Sequence, residues 1–455
     1  MSFPRYPAYK DSGVEWLGRV PEHWSVDRMK WSTASRKNGI WGDDAKQDEN
    51  DIACVRVADF DRQRLSVILS DPTVRNVTPK ERVGRVLSHN DLLLEKSGGG
   101  ETQPVGCVVI YEDHIPAVCS NFVSRVTLAA TMNSSYWRYL HFAAYAVRLN
   151  TRSIKQTSGI QNLDDQQYFD ERCVFPPAAE QDAIAVFLDH ETAKIDALIA
   201  EQQRLIELLN EKRQAVISHA VTKGLNPNAP MKPSGVEWLG DMPEHWALMP
   251  LKRNLLFLTS GSRGWADHYA DDGDLFLRIT NLTRGSVELD LSDIQRVCVP
   301  VGAEGARTLV QAGDVLFSIT AYLGSVAVVP EELETAYVSQ HVALARLRPA
   351  QVHPKWVGYV ALSSVGKTWF EQQSYGGTKI QLSLDDVRNL PVPVPPVSEQ
   401  LLIVAFVDSK LEEFGRLKAE SLRAIDVLQE RRSALISAAV TGQIDVRGFA
   451  SQEAA

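Results

Sequence analysis

Ser12-Gly13-Val14-Glu15-Trp16-Leu17-Gly18, followed by Pro21-Glu22-His23-Trp24, returns later in the chain as Ser234-Gly235-Val236-Glu237-Trp238-Leu239-Gly240, followed by Pro243-Glu244-His245-Trp246. Eleven of these thirteen positions are identical at an offset of 222. A second pair stands at an offset of 219. Pro176-Pro177-Ala178-Ala179-Glu180-Gln181 matches Pro395-Pro396-Val397-Ser398-Glu399-Gln400, and the match runs without a gap to Val221-Thr222 and Val440-Thr441. A period of about 220 residues is far longer than the roughly 20–50 residues of a solenoid unit. The chain is therefore a duplicated module, each copy an opening motif, a variable body and a long helix.

The two bodies agree only in outline. Ala53 to Phe60 aligns with Leu275 to Leu282, and Asp91-Leu92-Leu93-Leu94 aligns with Asp314-Val315-Leu316-Phe317. These are short, β-branched runs bounded by turns, the signature of strands. Ile160-Gln161-Asn162-Leu163-Asp164-Asp165 aligns with Ile380-Gln381-Leu382-Ser383-Leu384-Asp385-Asp386 after one inserted residue. A shared scaffold with unlike loops is expected where the framework is common and the specificity is not.

The third element is helical. Glu180 to Thr222 contains neither proline nor glycine. Apolar residues at Ile195, Leu198, Leu205, Leu209 and Val216 fall at alternating spacings of 3 and 4, flanked by Ile199 and Ile206 and interrupted by Gln202 and Lys212. The second copy places Phe414, Leu417, Ala424, Leu428 and Leu435 at the same positions. About 40 residues at about 1.5 Å each make a rod of about 60 Å. Its seam needs a partner, and the other copy is the nearest candidate. The expected fold is two pseudo-repeated α/β domains joined by two long helices that form an antiparallel coiled coil. The expected division is 1–175 first domain, 176–224 first helix, 225–394 second domain, 395–445 second helix and 446–455 disordered tail, with the helices themselves spanning 178–222 and 397–441.

Composition excludes several classes of function. With 44% hydrophobic and 23% charged residues in 455, the chain is not disordered. No run approaches the ~18 apolar residues of a membrane-spanning helix. The opening residues, from Met1 to Gly13, have neither a basic nor an apolar stretch, so no secretory signal is expected. Five scattered cysteines without a CxxC pair point to reduced thiols and a cytoplasmic location. A net charge of -9 opposes nucleic acid binding on average but not on a local basic face.

No catalytic motif stands out. Gly366-Lys367-Thr368 lacks the leading glycine of a phosphate-binding loop, because position 361 is alanine, and Gly98-Gly99-Gly100 has the wrong spacing for a dinucleotide site. Phe175-Pro176-Pro177 and Val394-Pro395-Pro396 lack the polar residue with which amino-methyltransferases hold a base. They mark helix starts instead. No metal-ligand cluster is evident.

The paired openings, the duplicated Pro-Pro-x-x-Glu-Gln helices and the two unlike bodies resemble the specificity subunit of Type I restriction-modification systems over residues 10 to 445. The resemblance implies two target recognition domains, each reading one half of a split, asymmetric site in double-stranded DNA. It implies that the helices hold them apart and dock two methyltransferase subunits, with restriction subunits outside. No cofactor is implied in this chain; S-adenosylmethionine belongs to the methyltransferase.

Base readout needs polar, turn-borne side chains. The first body offers Ser97, Gly98, Gly99, Gly100, Glu101, Thr102 and Gln103, then Arg152, Lys155, Thr157 and Ser158. The second offers Thr320 and Tyr322, then Tyr375, Gly376, Gly377, Thr378 and Lys379. Matched charges outside the expected seam, at Arg204, Glu207 and Arg213 and at Arg423, Asp426 and Arg432, form the expected partner face. Two other readings fit parts of the sequence. A duplicated protein-binding scaffold suits the acidic balance, and a methyltransferase-linked recognition protein is opposed by the missing motifs.

Overall fold

The computed structural model describes residues 3–156, 159–300, 302–348, 350–374 and 380–449. The chain divides into two compact units: unit 1, Met1–Gln202 with Arg423–Ala455, and unit 2, Gln203–Leu422. This partition differs from the expected one, because each long helix is shared between the units. The first long helix runs Ala178–Lys223 and the second Val397–Val440.

Unit 1 carries a six-stranded sheet in the order Thr33–Asn38, Val123–Leu128, Leu92–Glu95, Val108–Ile110, Ser66–Val67 and Phe60–Asp61. Leu92, Leu93 and Leu94 are fully buried, as an apolar run at the middle of a sheet should be, and Glu95 is buried against Arg62 at 2.8 Å. A four-stranded sheet holds Ala117–Cys119 parallel to Asp51–Val55. Unit 2 repeats the plan. Leu255–Ser260, Val342–Leu347, Val315–Ser318 and Val326–Val328 form one antiparallel sheet, and in a second sheet Ala336–Val338 lies parallel to Asp274–Leu277. A helix follows in each unit, Ser134–Ala146 and Pro354–Leu362, burying Trp137 and Trp356.

The repeated motifs lock onto each other. In unit 1 the Glu180 carboxylate accepts from the Trp24 indole at 3.0 Å and the Tyr6 hydroxyl at 3.1 Å, and meets His23 Nε2 at 2.6 Å. In unit 2 Glu399 accepts from the Trp246 indole at 3.1 Å and meets His245 at 2.8 Å. Both tryptophans are buried, so the carboxylate satisfies a donor that has no access to water. The adjacent glutamines act alike. Gln181 Oε1 accepts from the Asn133 amide and Gln400 Oε1 from the His353 amide, while their Nε2 groups donate to Pro176 and Pro395. The far end of the other repeat's helix closes the lock. A methyl at Gly442 (φ +74°) would strike Pro21 at 2.4 Å and the Trp24 ring at 3.0 Å, and one at Gly224 (φ +72°) would lie 3.2 Å from the Trp246 ring. The glycines serve twice, as left-handed helix ends and as floors beneath indoles.

The buried stripe of the long helices keeps most of the expected positions but not Leu198, Leu205 or Leu417. Ile195, Ile199 and Leu209 are buried and Gln202, Ile206, Arg213 and Val216 half-buried, whereas Leu198 and Leu205 are 52% and 40% exposed. In the second helix Leu411, Phe414, Ser421, Ile425, Arg432 and Leu435 are buried and Leu417 is 39% exposed. A 3-4 spacing therefore holds, but it runs through polar residues that a purely apolar reading passes over. Residues 446–449, placed in a disordered tail by the sequence, are packed: Val446 is buried and the Phe449 ring meets Phe187 edge-on at 5.0 Å.

Candidate functional site

In each unit four backbone segments meet around one turn. In unit 1 the turn is Ser120-Asn121-Phe122-Val123, where Val123 N–H donates to Ser120 at 2.9 Å and Ser120 N–H to Val55 at 2.9 Å. Gly39 N–H donates to Val123 at 2.9 Å, Ile40 N–H to Cys119 at 2.7 Å and Lys96 N–H to Phe122 at 2.8 Å. Unit 2 repeats every bond around Ser339-Gln340-His341-Val342. Val342 N–H donates to Ser339, Ser339 to Leu277, Gly261 to Val342, Ser262 to Val338 and Ile319 to His341, at 2.8–3.0 Å. A methyl at Gly39 would lie 2.1 Å from the Ser120 carbonyl and one at Gly261 2.1 Å from the Ser339 carbonyl, so no other residue fits either place. The backbone is thus fixed identically, while the exposed tips differ: Asn121-Phe122 against Gln340-His341. These residues were missed in the sequence; the signal was a repeated Ser-x-x-Val after an apolar run.

The expected loops reach the same place only in part. Ser97 bridges to Asn162 and Thr320 to Gln381, matched contacts in the two units. Gly98, with φ +122°, donates to Gln161 at 3.1 Å, and Gly100 to Gln103 at 2.9 Å. Gly99 has no room for a side chain, since a methyl there would lie 2.5 Å from the Val105 nitrogen. Glu101, Thr102 and Gln103 are exposed. The basic stretch is less free than its composition suggests: Arg152 pairs with Glu15 at 3.5 Å and Lys155 with Asp164 at 2.6 Å. Tyr322 is 53% exposed beneath the Arg284 guanidinium. Thr157, Ser158, Tyr375, Gly376, Gly377, Thr378 and Lys379 lie outside the described residues. In unit 2 Arg263, Thr320, Gln340, His341 and Gln381 line one open cleft of about 390 Å³.

The expected partner face needs correction at two residues. Arg204, Glu207, Arg423 and Asp426 are exposed, with Arg204 and Glu207 paired at 3.1 Å. Arg432 instead is buried, its Nε 3.0 Å from Asp196. Arg213 is half-buried in the seam, its Nε without a hydrogen-bond partner among the described residues, and burial holds its guanidinium below the ordinary value. A heptad position takes its burial from its phase, not its polarity, so charge alone placed both arginines wrongly.

No reactive centre emerges among the described residues. No group of three or more His, Cys, Asp and Glu could hold a metal ion. Burial pushes the thiols of Cys54, Cys107 and Cys119 up to about 11, 12 and 12, so they stay neutral. No described helix is long and apolar enough to cross a membrane.

Comparison with known proteins gives one consistent likeness. Residues 305–424 match the family described as Type I restriction modification DNA specificity domain. The Type I restriction enzyme EcoBI specificity subunit of Escherichia coli is 24% identical over 339 residues, 72% of this chain and 70% of its own length. The putative type I restriction enzyme MjaX specificity subunit of Methanocaldococcus jannaschii is 22% identical over 441 residues, 95% of this chain and 96% of its own length. A solved chain from a study of complex assembly and conformational transition of the type I R-M system superposes with a TM-score of 0.70. It is 15% identical and covers 92% of this chain and 98% of that one, a likeness of fold.

Proposed function

We propose, for a chain that resembles Type I restriction-modification specificity subunits in sequence and in fold, that it reads a bipartite, asymmetric DNA site without catalysing any reaction itself. Each unit reads one half of the site. The observation that carries this reading is the pair of units built on one interlocked frame but exposing unlike side chains. Two copies of one binding function would have no need of unlike exposed tips on a matched hydrogen-bonded turn.

The long helices act in this reading as an antiparallel coiled coil and a ruler. Asp196 meets Arg432 in unit 1, and Lys212 lies over the Phe414 ring in unit 2. Numbers rise along one helix as they fall along the other, which supports the antiparallel sense. Helices of 46 and 44 residues at about 1.5 Å per residue are each about 65–70 Å long. Half-sites on one DNA face then lie about a helical turn apart, and tethering multiplies two modest affinities through effective concentration.

Two methyltransferase subunits dock on matched faces of these helices and bring S-adenosylmethionine, with restriction subunits outside them. Leu198 and Leu417 are exposed equivalents, as are Leu208 and Val427, beside Arg204 and Arg423. Exposed apolar side chains ringed by charge suit a protein interface better than charge alone.

The test is the methylome of a cell expressing this chain with its methyltransferase. One split motif is expected, and exchange of residues 25–175 for a relative's segment should change one half of it. A single undivided motif, or a change in both halves, would overturn the reading.

A further inference from the structure

We infer that the exposed two-residue tip of one turn in each unit, Asn121-Phe122 in unit 1 and Gln340-His341 in unit 2, selects the base pairs that unit reads. The inference rests on the DNA-reading function proposed above and names the side chains that perform it.

Base readout imposes two demands that pull against each other. The reading side chains must project from the surface, yet their backbone must be held firmly enough that a wrong base is penalised rather than accommodated. Most exposed loops meet only the first demand. These turns meet both. Every tip residue is exposed. Meanwhile Ser120 and Ser339 are buried, and matched backbone hydrogen bonds tie each turn to three other segments. The carbonyls of Phe122 and His341 themselves accept from Lys96 and Ile319, so the tip cannot lift away without breaking a bond.

The pattern of difference is the second argument. Gly39 and Gly261, Ser120 and Ser339, and Val123 and Val342 are the same residues in the two units, and the bonds they make are the same. Within the turn itself the flanking serine and valine are kept and the tip changes, from an amide and a phenyl ring to an amide and an imidazole. A turn serving structure alone has no reason to keep its buried half and change its exposed half in kind, leaving Phe122 48% exposed.

The surroundings suit a nucleic acid. Arg263 is exposed and lines the cleft that holds Gln340 and His341 together with Thr320 and Gln381, whereas the Lys96 ammonium near the first tip is already bonded to Asn38 at 2.8 Å and lies 3.7 Å from Asp165. Cations beside a reading element hold it against the phosphate backbone. In the major groove an Asn or Gln amide pairs with the adenine edge, and a phenyl ring packs on the thymine methyl. Asn121-Phe122 therefore fits an A·T pair by two contacts, whereas Gln340-His341 adds a ring nitrogen that donates or accepts.

The test exchanges the tips in the full chain, co-expressed with its methyltransferase in cells lacking this modification, and reads the methylated motif by sequencing. Asn121→Gln with Phe122→His should alter one half of the motif at one or two positions. Gln340→Asn with His341→Phe should alter the other half. Preference at those positions should shift about 5- to 150-fold, the range for one good base contact. Loss of methylation in a complex that still assembles and melts as the wild type does also supports the inference. Where an exchange fails to assemble, Phe122→Leu and His341→Asn decide by the same readout. A wild-type motif and unchanged preference in assembled variants would overturn the inference while leaving the DNA-reading function intact. Absence of a split motif in the wild type would instead remove that function first.

Discussion

Replacing Gly415 by aspartate should stabilise unit 2, and the seam shows by how much. The offset of 219 equates Asp196 with Gly415 and Arg432 with Arg213. In unit 1 the pair is made at 3.0 Å, with side chains only 15% and 5% exposed. In unit 2 the arginine is kept and the carboxylate is missing, so Arg213 is half-buried with an Nε that has no partner among the described residues. Gly415 has open space where a Cβ would go. Alanine there should gain about 1 kcal/mol from helix propensity alone; aspartate, a poorer helix former, about 0.3 kcal/mol. A charged hydrogen bond in a half-buried seam adds about 1.5–3 kcal/mol, so Gly415→Asp should gain about 2–3 kcal/mol. For a unit of 220 residues each kcal/mol raises Tm by about 2–4 °C. Calorimetry should thus show a rise of about 4–12 °C for aspartate, against about 2–4 °C for alanine. In an Arg213→Met background the aspartate should gain no more than about 1 °C. Were alanine to stabilise as much as aspartate, or the gain to survive loss of Arg213, the ion-pair argument would be wrong.

Removing the locking carboxylates should be costly, because each leaves donors without an acceptor at about 1–3 kcal/mol apiece. Glu180→Ala strands two buried donors, Trp24 and Tyr6, and should cost more than Glu399→Ala, which strands Trp246 alone, because His23 and His245 keep access to water. Chemical denaturation giving equal losses, or losses under ~1 kcal/mol, would refute the lock. Burial lowers His141 from 6.5 to about 4. A folded-state value below the unfolded one makes its contribution complete above pH 6.5 and lost as pH falls toward 4. The loss should approach about 3 kcal/mol and be absent in His141→Gln; parallel melting curves for the two proteins across pH 7 to 4 would exclude it. One heptad inserted into each long helix adds about 10 Å and should lengthen the spacer by about three base pairs, fewer if the rod is tilted. An unchanged spacer in the methylome would rule out a ruler.

Covalent periodicity and local punctuation were legible from the residues. Pro176-Pro177 and Pro395-Pro396 announced helices that begin at Ala178 and Val397, and the proline-free run after Glu180 announced their length. The repeats announced two copies of one framework. Features that depend on neighbours distant in the chain were not legible. Arg432 looks like a solvated charge until Asp196 stands beside it, and the phase of a seam cannot be read from hydrophobicity where Gln202 and Arg213 occupy it. The reading turns were missed for the same reason. The repeated Ser-x-x-Val marks Ser-Asn-Phe-Val as part of the shared framework, but nothing in the string announces that Gly39 lies beneath it. The paired Arg152 and Lys155 show the converse error, in which a basic composition suggests charge that folding has already neutralised.

The glycine floors beneath the indoles make each repeat depend on the helix end of the other. Trp24 rests on the end of the second repeat's helix and Trp246 on the end of the first's. A single repeat, made alone, would leave its indole uncovered and its own helix end with nothing to cover. A second molecule of the same half-length chain would supply both at once, as an exchange between equals. Within one chain the tether keeps each helix end at high effective concentration near the indole it covers, whatever the two bodies expose.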